Sequence, residues 1–407
     1  MPLSSVVLLF MAMLLAALLL EPAARLIRLP LSAALVAGGF AGSQWIVSLG
    51  IDTGLRWHHF HDLVFFVFLP ALIFGSAINM DARLLLRNLF PILLLALPLL
   101  LMATVLSAAV LFFGIGHPQG FPWISALICG ALISATDPVA VSELSKRLPV
   151  PKRLLTLMES ESLFNDATTV VLFMLLLSAA MTSDPQIELL DAGMVFLRLV
   201  LGGLAVGLLF AFVAGLLIRW LDRAVVVSLL AAYGSYLISE TQLQVSGVMA
   251  CLGCGLLLSH TLSRLKTDQL QQVNAWWKQL GWIANSSLFL LSGATITLLM
   301  FEERWLAMLL GIGAAILTRS MGVWVAGGLT SVMPGQQPVT NAYRIMMSAG
   351  GLRGAVTLAL ALSLPLELEG WWTVQSIAYG VVLFSLFIQA PGIEPLYNRL
   401  QRSGHLY

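Results

Sequence analysis

The apolar positions of this chain neither alternate nor recur on a single helical face; they run in long blocks separated by short polar stretches. A bilayer core of roughly 30 Å needs about 20 apolar residues per helix. Thirteen blocks meet or nearly meet that length: 4–20, 31–50, 62–79, 90–114, 121–144, 154–180, 192–218, 224–240, 245–260, 280–301, 305–332, 344–364 and 371–390. Each is expected to be a membrane-spanning helix. The run from Ser4 to Leu20 lacks a basic n-region and a small-residue cleavage site, so it reads as a first span and not as a removed signal peptide. The connections are short, and no soluble or regulatory domain is expected.

Charge tests that count, because basic residues collect in alternate, cytoplasmic loops. One set of connections carries Arg25, Arg28, Arg83, Arg87, Lys146, Arg147, Lys152, Arg153, Arg219, Arg223, Arg264, Lys266, Lys278, Arg344, Arg399 and Arg402, sixteen in all; the other carries two, Arg56 and Arg304. An odd number of spans then places the N-terminus outside and the C-terminus in the cytoplasm of a bacterial inner (plasma) membrane. Composition agrees. Of 407 residues 59% are hydrophobic and 10% charged, so lipid must solvate the surface. A net charge of +1 gives nucleic acid no bulk attraction, and none is expected as a partner.

Two blocks break the helical pattern: Thr136-Asp137-Pro138 in the fifth and Gly350-Gly351-Leu352-Arg353-Gly354 in the twelfth. Proline removes a backbone donor and clustered glycine lets the chain unwind; such breaks survive at membrane depth only where they line a cavity. Two six-helix units, spans one to six and eight to thirteen, place both breaks at the fifth position of a repeat, and the span between them inverts the second copy.

The sixth span holds Glu159-Ser160-Glu161-Ser162-Leu163-Phe164-Asn165-Asp166 among leucines and valines. Each carboxylate there costs on the order of 3 kcal/mol to insert, which makes these residues functional candidates. Ser162 and Asp166 share one helical face, Glu161 and Asn165 another, and Glu159 lies two turns before Asp166. Asp166 and Ser162, with backbone carbonyls of an unwound Thr136, offer hard oxygens suited to sodium or lithium, with potassium as a rival. Because a desolvated carboxylate is costly to keep ionised, proton and cation compete for Asp166, and that competition is an exchange mechanism. Glu161 is expected to pair with Arg319, leaving Arg353 to neutralise the twelfth span and Asp137. No cofactor is expected beyond the transported ions.

Other features read as structural. Cys129, Cys251 and Cys254 lie in apolar stretches as packing residues, Trp276, Trp277, Trp282, Trp371 and Trp372 look like an interfacial belt, and Gly202, Gly203 and Gly207 allow close helix packing. His58, His59 and His61, before Asp62, are candidates for metal binding or external pH sensing.

Three motifs together, Ala135-Thr136-Asp137-Pro138-Val139-Ala140-Val141, Glu159 to Asp166, and Gly351-Leu352-Arg353-Gly354-Ala355-Val356, resemble the monovalent cation/proton antiporters of the NhaP and sodium/proton exchanger branch. The resemblance covers nearly the whole chain. It implies an all-α inverted-repeat fold with two discontinuous helices: a mobile core of spans four to six (about 90–180) and eleven to thirteen (about 305–390), beside a dimerisation scaffold of spans one to three and seven to ten. It further implies a homodimer, ion binding at Asp166 assisted by Ser162, Glu161 and the Thr136 backbone, and an Asn165 that organises the broken helices. An Asn-Asp pair implies electroneutral exchange of one cation for one proton. Ser160 stands where glycine is common, and Ala167-Thr168-Thr169 where Gly-Val-Ala is frequent. The readings set against sodium/proton antiport are a potassium/proton antiporter and a cation channel or sensor on the same fold. An enzyme is disfavoured, because no nucleophile, base and orienting group occur at a recognisable spacing.

Overall fold

The computed structural model describes residues 3–26, 29–48, 62–115, 120–145, 147–182, 189–262, 267–333 and 337–402. His58, His59 and His61 lie outside them. The regular elements among the described residues are helices, and the one β-type pairing is an isolated antiparallel bridge between Asp137 and Leu352. In chain order they are α1 Leu3–Leu26, α2 Leu31–Ser48, α3 Val64–Ile78, α4 Ala82–Arg87, α5 Leu89–Gly114, α6 Trp123–Ser134, α7 Val139–Ser145 and α8 Lys152–Met181. They continue with α9 Leu189–Trp220, α10 Ala224–Thr241, α11 Gly247–Leu262, α12 Thr267–Thr295, α13 Leu298–Val332, α14 Asn341–Ala349, α15 Ala355–Leu362 and α16 Trp371–Arg402. Six of these, α5, α8, α9, α10, α13 and α16, are long and apolar enough to cross a membrane.

Local chemistry explains the irregular places. Pro70 has no N–H to donate, and the turn before it, Val64–Phe68, widens to π geometry. Pro98 bends α5 at Leu97, whose backbone leaves helical angles. A second π turn, Ser385–Gln389, interrupts α16 and faces the twelfth-span break: Ser385 Oγ accepts from the Arg353 N–H at 3.2 Å, and Gln389 Nε2 donates to Ala349 O at 2.7 Å.

The helices pack in two sets. In one, α9, α10 and α11 pack together, α11 lies on α3, and α12 lies on α1, α2, α3 and α10. Glycine sets the spacing here. A Cβ on Gly203 would sit 2.3 Å from Ser246 O and one on Gly207 2.1 Å from Ala250 O, so α9 and α11 approach backbone to backbone. In the other set α5, α6, α8, α13, α14, α15 and α16 surround the two breaks. The sets meet where α12 packs on α15 and where α8 packs on α3, α9 and α11.

Two expectations are corrected. Lys278 belongs to no loop: α12 begins at Thr267, and its polar first half, Thr267 to Asn274, is helical ahead of the apolar block expected to start at 280. That opening stretch carries three glutamines, good helix formers, and Gln269 Nε2 donates to Asp222 Oδ1 beside α10. Trp277 is no interfacial anchor. It is 1% exposed, lies 4.5 Å from the Phe74 ring and donates its indole N–H to Ser228 Oγ at 3.0 Å.

Candidate ion-binding site

The two breaks cross, and the crossing builds the site. Residues 135–138 separate α6 from α7, and 350–354 separate α14 from α15; the Asp137 N–H donates to Leu352 O at 2.8 Å. A helix ending in a protein interior leaves carbonyls that need donors. At the end of α6, Leu132 O accepts from Thr357 Oγ1 at 3.1 Å, Ile133 O from Arg353 Nε at 2.8 Å and Ser134 O from Asn165 Nδ2 at 3.2 Å. Thr136 O accepts from Ser162 Oγ. At the end of α14, Met347 O accepts from Arg319 Nε at 3.2 Å. Arg353, 2% exposed, also donates to Gly351 O and, at 3.0 Å, to Ala315 O. The sequence reading gave Arg353 to charge neutralisation; its observed donors reach the Ile133 and Gly351 carbonyls at the two breaks and Ala315 O of α13.

The second break reaches the first at Gly354, where a Cβ would lie 1.8 Å from Asp137 Oδ2. Only glycine admits that carboxylate, which rests at the N-terminus of α15, where the helix dipole favours negative charge.

Asp166 projects from the unbroken α8 into a cavity of about 540 Å³. The core side of its wall is formed by Thr136, Asp137, Ser142, Glu159, Ser162 and residues 354–357, the opposite side by residues of α3, including Ser76 and Asn79, and by Lys278 and Asn285 of α12. Thr136 Oγ1 is buried with no hydrogen-bond partner, an oxygen available to a cation beside the Asp166 carboxylate. Glu159 Oε1 accepts from Ser142 Oγ at 2.6 Å.

Glu161 and Asn165 lie away from this cavity. Glu161, 1% exposed, meets Arg319 in a two-pronged contact, with Arg319 NH1 donating to Oε1 at 2.8 Å and NH2 to Oε2 at 2.7 Å. Asn165 Nδ2 reaches Glu161 Oε1 at 3.2 Å, and Asn165 Oδ1 accepts from Thr169 Oγ1 at 3.3 Å. Of the residues singled out in the sequence, the cavity therefore gathers Thr136, Asp137, Glu159, Ser162 and Asp166, while Asn165, Glu161, Arg319 and Arg353 form a buried frame behind them.

Sequence reasoning missed the far wall. Asn285 stands seven residues after Lys278, two turns on, and both face the cavity. Polar side chains at that spacing running from a charged stretch into an apolar block are the signal that marks such a wall. Ser76 and Asn79 on α3 carry the same signal more weakly.

Fold and site together define a polytopic helical membrane protein in which two crossed helix breaks and an unbroken helix carrying Asp166 line one cavity. Residues 10–399 match the model of the family described as sodium/hydrogen exchanger, transmembrane, and the chain belongs to that family. It is 33% identical over 344 residues to the Na(+)/H(+) antiporter ApNhaP of Aphanothece halophytica, covering 83% of this chain and 65% of that one. It is 32% identical to the low-affinity Na(+)/H(+) antiporter NhaS1 of Synechocystis, over 81% of this chain and 63% of that one. The chain thus spans just under two thirds of those two relatives. With NhaP of Pseudomonas aeruginosa it shares 32% identity over 87% of this chain and 85% of the relative. Its fold superposes on the sodium proton antiporter MjNhaP1 of Methanocaldococcus jannaschii with a TM-score of 0.82 at 21% identity, covering 98% and 99% of the two chains.

Proposed function

We propose that this protein exchanges sodium or lithium for protons by alternating access, with Asp166 carrying cation and proton in turn. The observation that carries the reading is the placement of Asp166: no described residue donates a hydrogen bond to its carboxylate, and it faces the cavity beside the unpartnered Thr136 Oγ1. A carboxylate paired with a buried guanidinium, as Glu161 is with Arg319, is held in place, whereas one without a protein partner can exchange its occupant. Glu161 is committed to Arg319 and Asn165 is neutral, which supports one cation for one proton. The core set of α5 to α8 and α13 to α16 moves against the set containing α1 to α3 and α9 to α12, and the latter pairs two copies in a homodimer. The loop charges support an inner-membrane orientation with the C-terminus in the cytoplasm. Moving Lys278 out of a loop lowers that count by one and leaves its direction unchanged.

The test is dye-reported proton movement in everted vesicles or proteoliposomes on adding sodium, lithium or potassium, for the wild type and Asp166→Asn. A sodium and lithium response lost in the variant supports exchange at Asp166. A response to potassium alone assigns the potassium/proton reading, and none to any cation refutes antiport.

A further inference from the structure

The cavity carries one basic side chain among its described lining residues, Lys278, and it comes from the wall opposite the three carboxylates Asp166, Asp137 and Glu159. Its mount is firm. The preceding residue, Trp277, is fully enclosed, pressed on Phe74 of α3 and hydrogen-bonded to Ser228 of α10, so α12 cannot roll Lys278 away without breaking that anchor. The side chain itself is exposed to the cavity's open side, and its own helix packs on α15, the half-helix that begins at the ion site.

We infer that Lys278 is a specificity-determining residue of the exchange cavity: a fixed positive charge that lowers cation occupancy of the carboxylate wall and so sets a weak cation affinity. The inference rests on the antiport reading for its transport consequence but not for its effect on binding. The charges facing Lys278 across the cavity are Asp166, Asp137 and Glu159; Asn285, Asn79 and Ser76 are neutral. A sphere of this volume is roughly 10 Å across, comparable to the Debye length of about 8–10 Å at 0.1–0.15 M ionic strength, so Lys278 and an entering cation inside it interact with only partial screening. An ammonium acts there in two ways with one sign. It repels the entering cation, and it competes with that cation for Glu159. Because Lys278 is carried by one helix set and Glu159 by the other, any sliding of the sets changes their separation, and the ammonium is strongest in whichever position brings α12 nearest α8.

The test compares wild type, Lys278→Gln, Lys278→Arg and Lys278→Glu in two measurements. The first is sodium binding to purified protein by calorimetry, with Asp166→Asn as the background; the second is the apparent sodium KM and maximal rate in proteoliposomes. Lys278→Gln is expected to tighten binding and lower KM about three- to tenfold, the range for one unit charge across a partly hydrated cavity. Lys278→Glu should go further and Lys278→Arg should match the wild type. The maximal rate should stay level or fall, since a tighter-held cation leaves more slowly, and raising ionic strength with choline chloride should shrink the Gln effect. Unchanged binding across all four proteins overturns the proposal, as does an arginine variant behaving like the glutamine one, which would make side-chain shape the cause. If the wild type moves no protons while Lys278→Gln still binds sodium more tightly, antiport falls and the charge effect stands.

Discussion

Two faces of one helix do opposite things with the same functional group. On α8, Asp166, Ser162 and Glu159 line the cavity, while Glu161 and Asn165, a residue or two away along the chain, face packed protein. The buried face saturates its carboxylate: Glu161 takes both prongs of Arg319 and an amide of Asn165, and the same arginine and asparagine hold the ends of α14 and α6. On the open face no described residue donates to Asp166. Insertion cost is similar for the two groups, so what separates them is their neighbours: Glu161 is paired with a buried arginine, and on the proposed reading the unpaired Asp166 is the one free to carry an ion.

The sharpest way to break the comparison is to neutralise each face in turn. On the proposed reading, Asp166→Asn removes both the charge that holds the cation and the group that protonates, while keeping the side chain's shape. Exchange should fall to background in the vesicle assay, a loss of more than about a hundredfold or roughly 2.7 kcal/mol, with the melting temperature in detergent little changed. Glu161→Gln should do the reverse. Arg319 is then buried without its counter-charge, a loss of about 3–5 kcal/mol of stability. It should read as poor expression and early unfolding before any effect on cation KM. Adding Arg319→Met to Glu161→Gln should recover part of that stability, because no lone charge stays buried. Recovery of activity along with it would show that the pair acts only as a strut.

Gly354→Ala probes the place where the faces communicate. The new methyl must displace the Asp137 carboxylate from the start of α15 and with it the Asp137–Leu352 bridge. Transport should fall about tenfold, a penalty near 1.4 kcal/mol. Sodium binding at Asp166 should weaken less, since Asp166 sits on the unbroken helix.

Most of the fold was legible in the sequence because lipid imposes a simple code. Apolar blocks, alternating loop charge, and proline or glycine inside a block report spans and breaks directly. The crossing partners of the breaks were partly legible: Glu161 and Arg319 are scarce, costly charges with few alternatives for pairing. The roles of Arg353 and Trp277 were not, since a guanidinium satisfies carbonyls as readily as carboxylates, and a tryptophan near a block end is equally an interfacial anchor or a core residue. Lys278 was read as a loop charge because α12 begins with polar, glutamine-rich turns and continues through Lys278 before its apolar block, whereas the span count looks only for apolar length.

The smallest expected effect lies at Ser142. Its hydroxyl donates to Glu159 from α7 at 2.6 Å and holds that carboxylate against the cavity wall two turns from Asp166. If Glu159 is the first anion an entering cation meets, Ser142→Ala lets the carboxylate swing off the wall, at a cost near that of one hydrogen bond, about 0.5–1.5 kcal/mol. The apparent sodium KM should then rise about threefold with the maximal rate unchanged, a size that full titration curves resolve. The discriminating measurement is the double variant. In a Glu159→Gln background, removing the Ser142 hydroxyl should add almost nothing, because the two residues act through one contact. An equal rise in both backgrounds would place Ser142 in direct contact with the ion path and extend the open face of α8 onto the first broken helix.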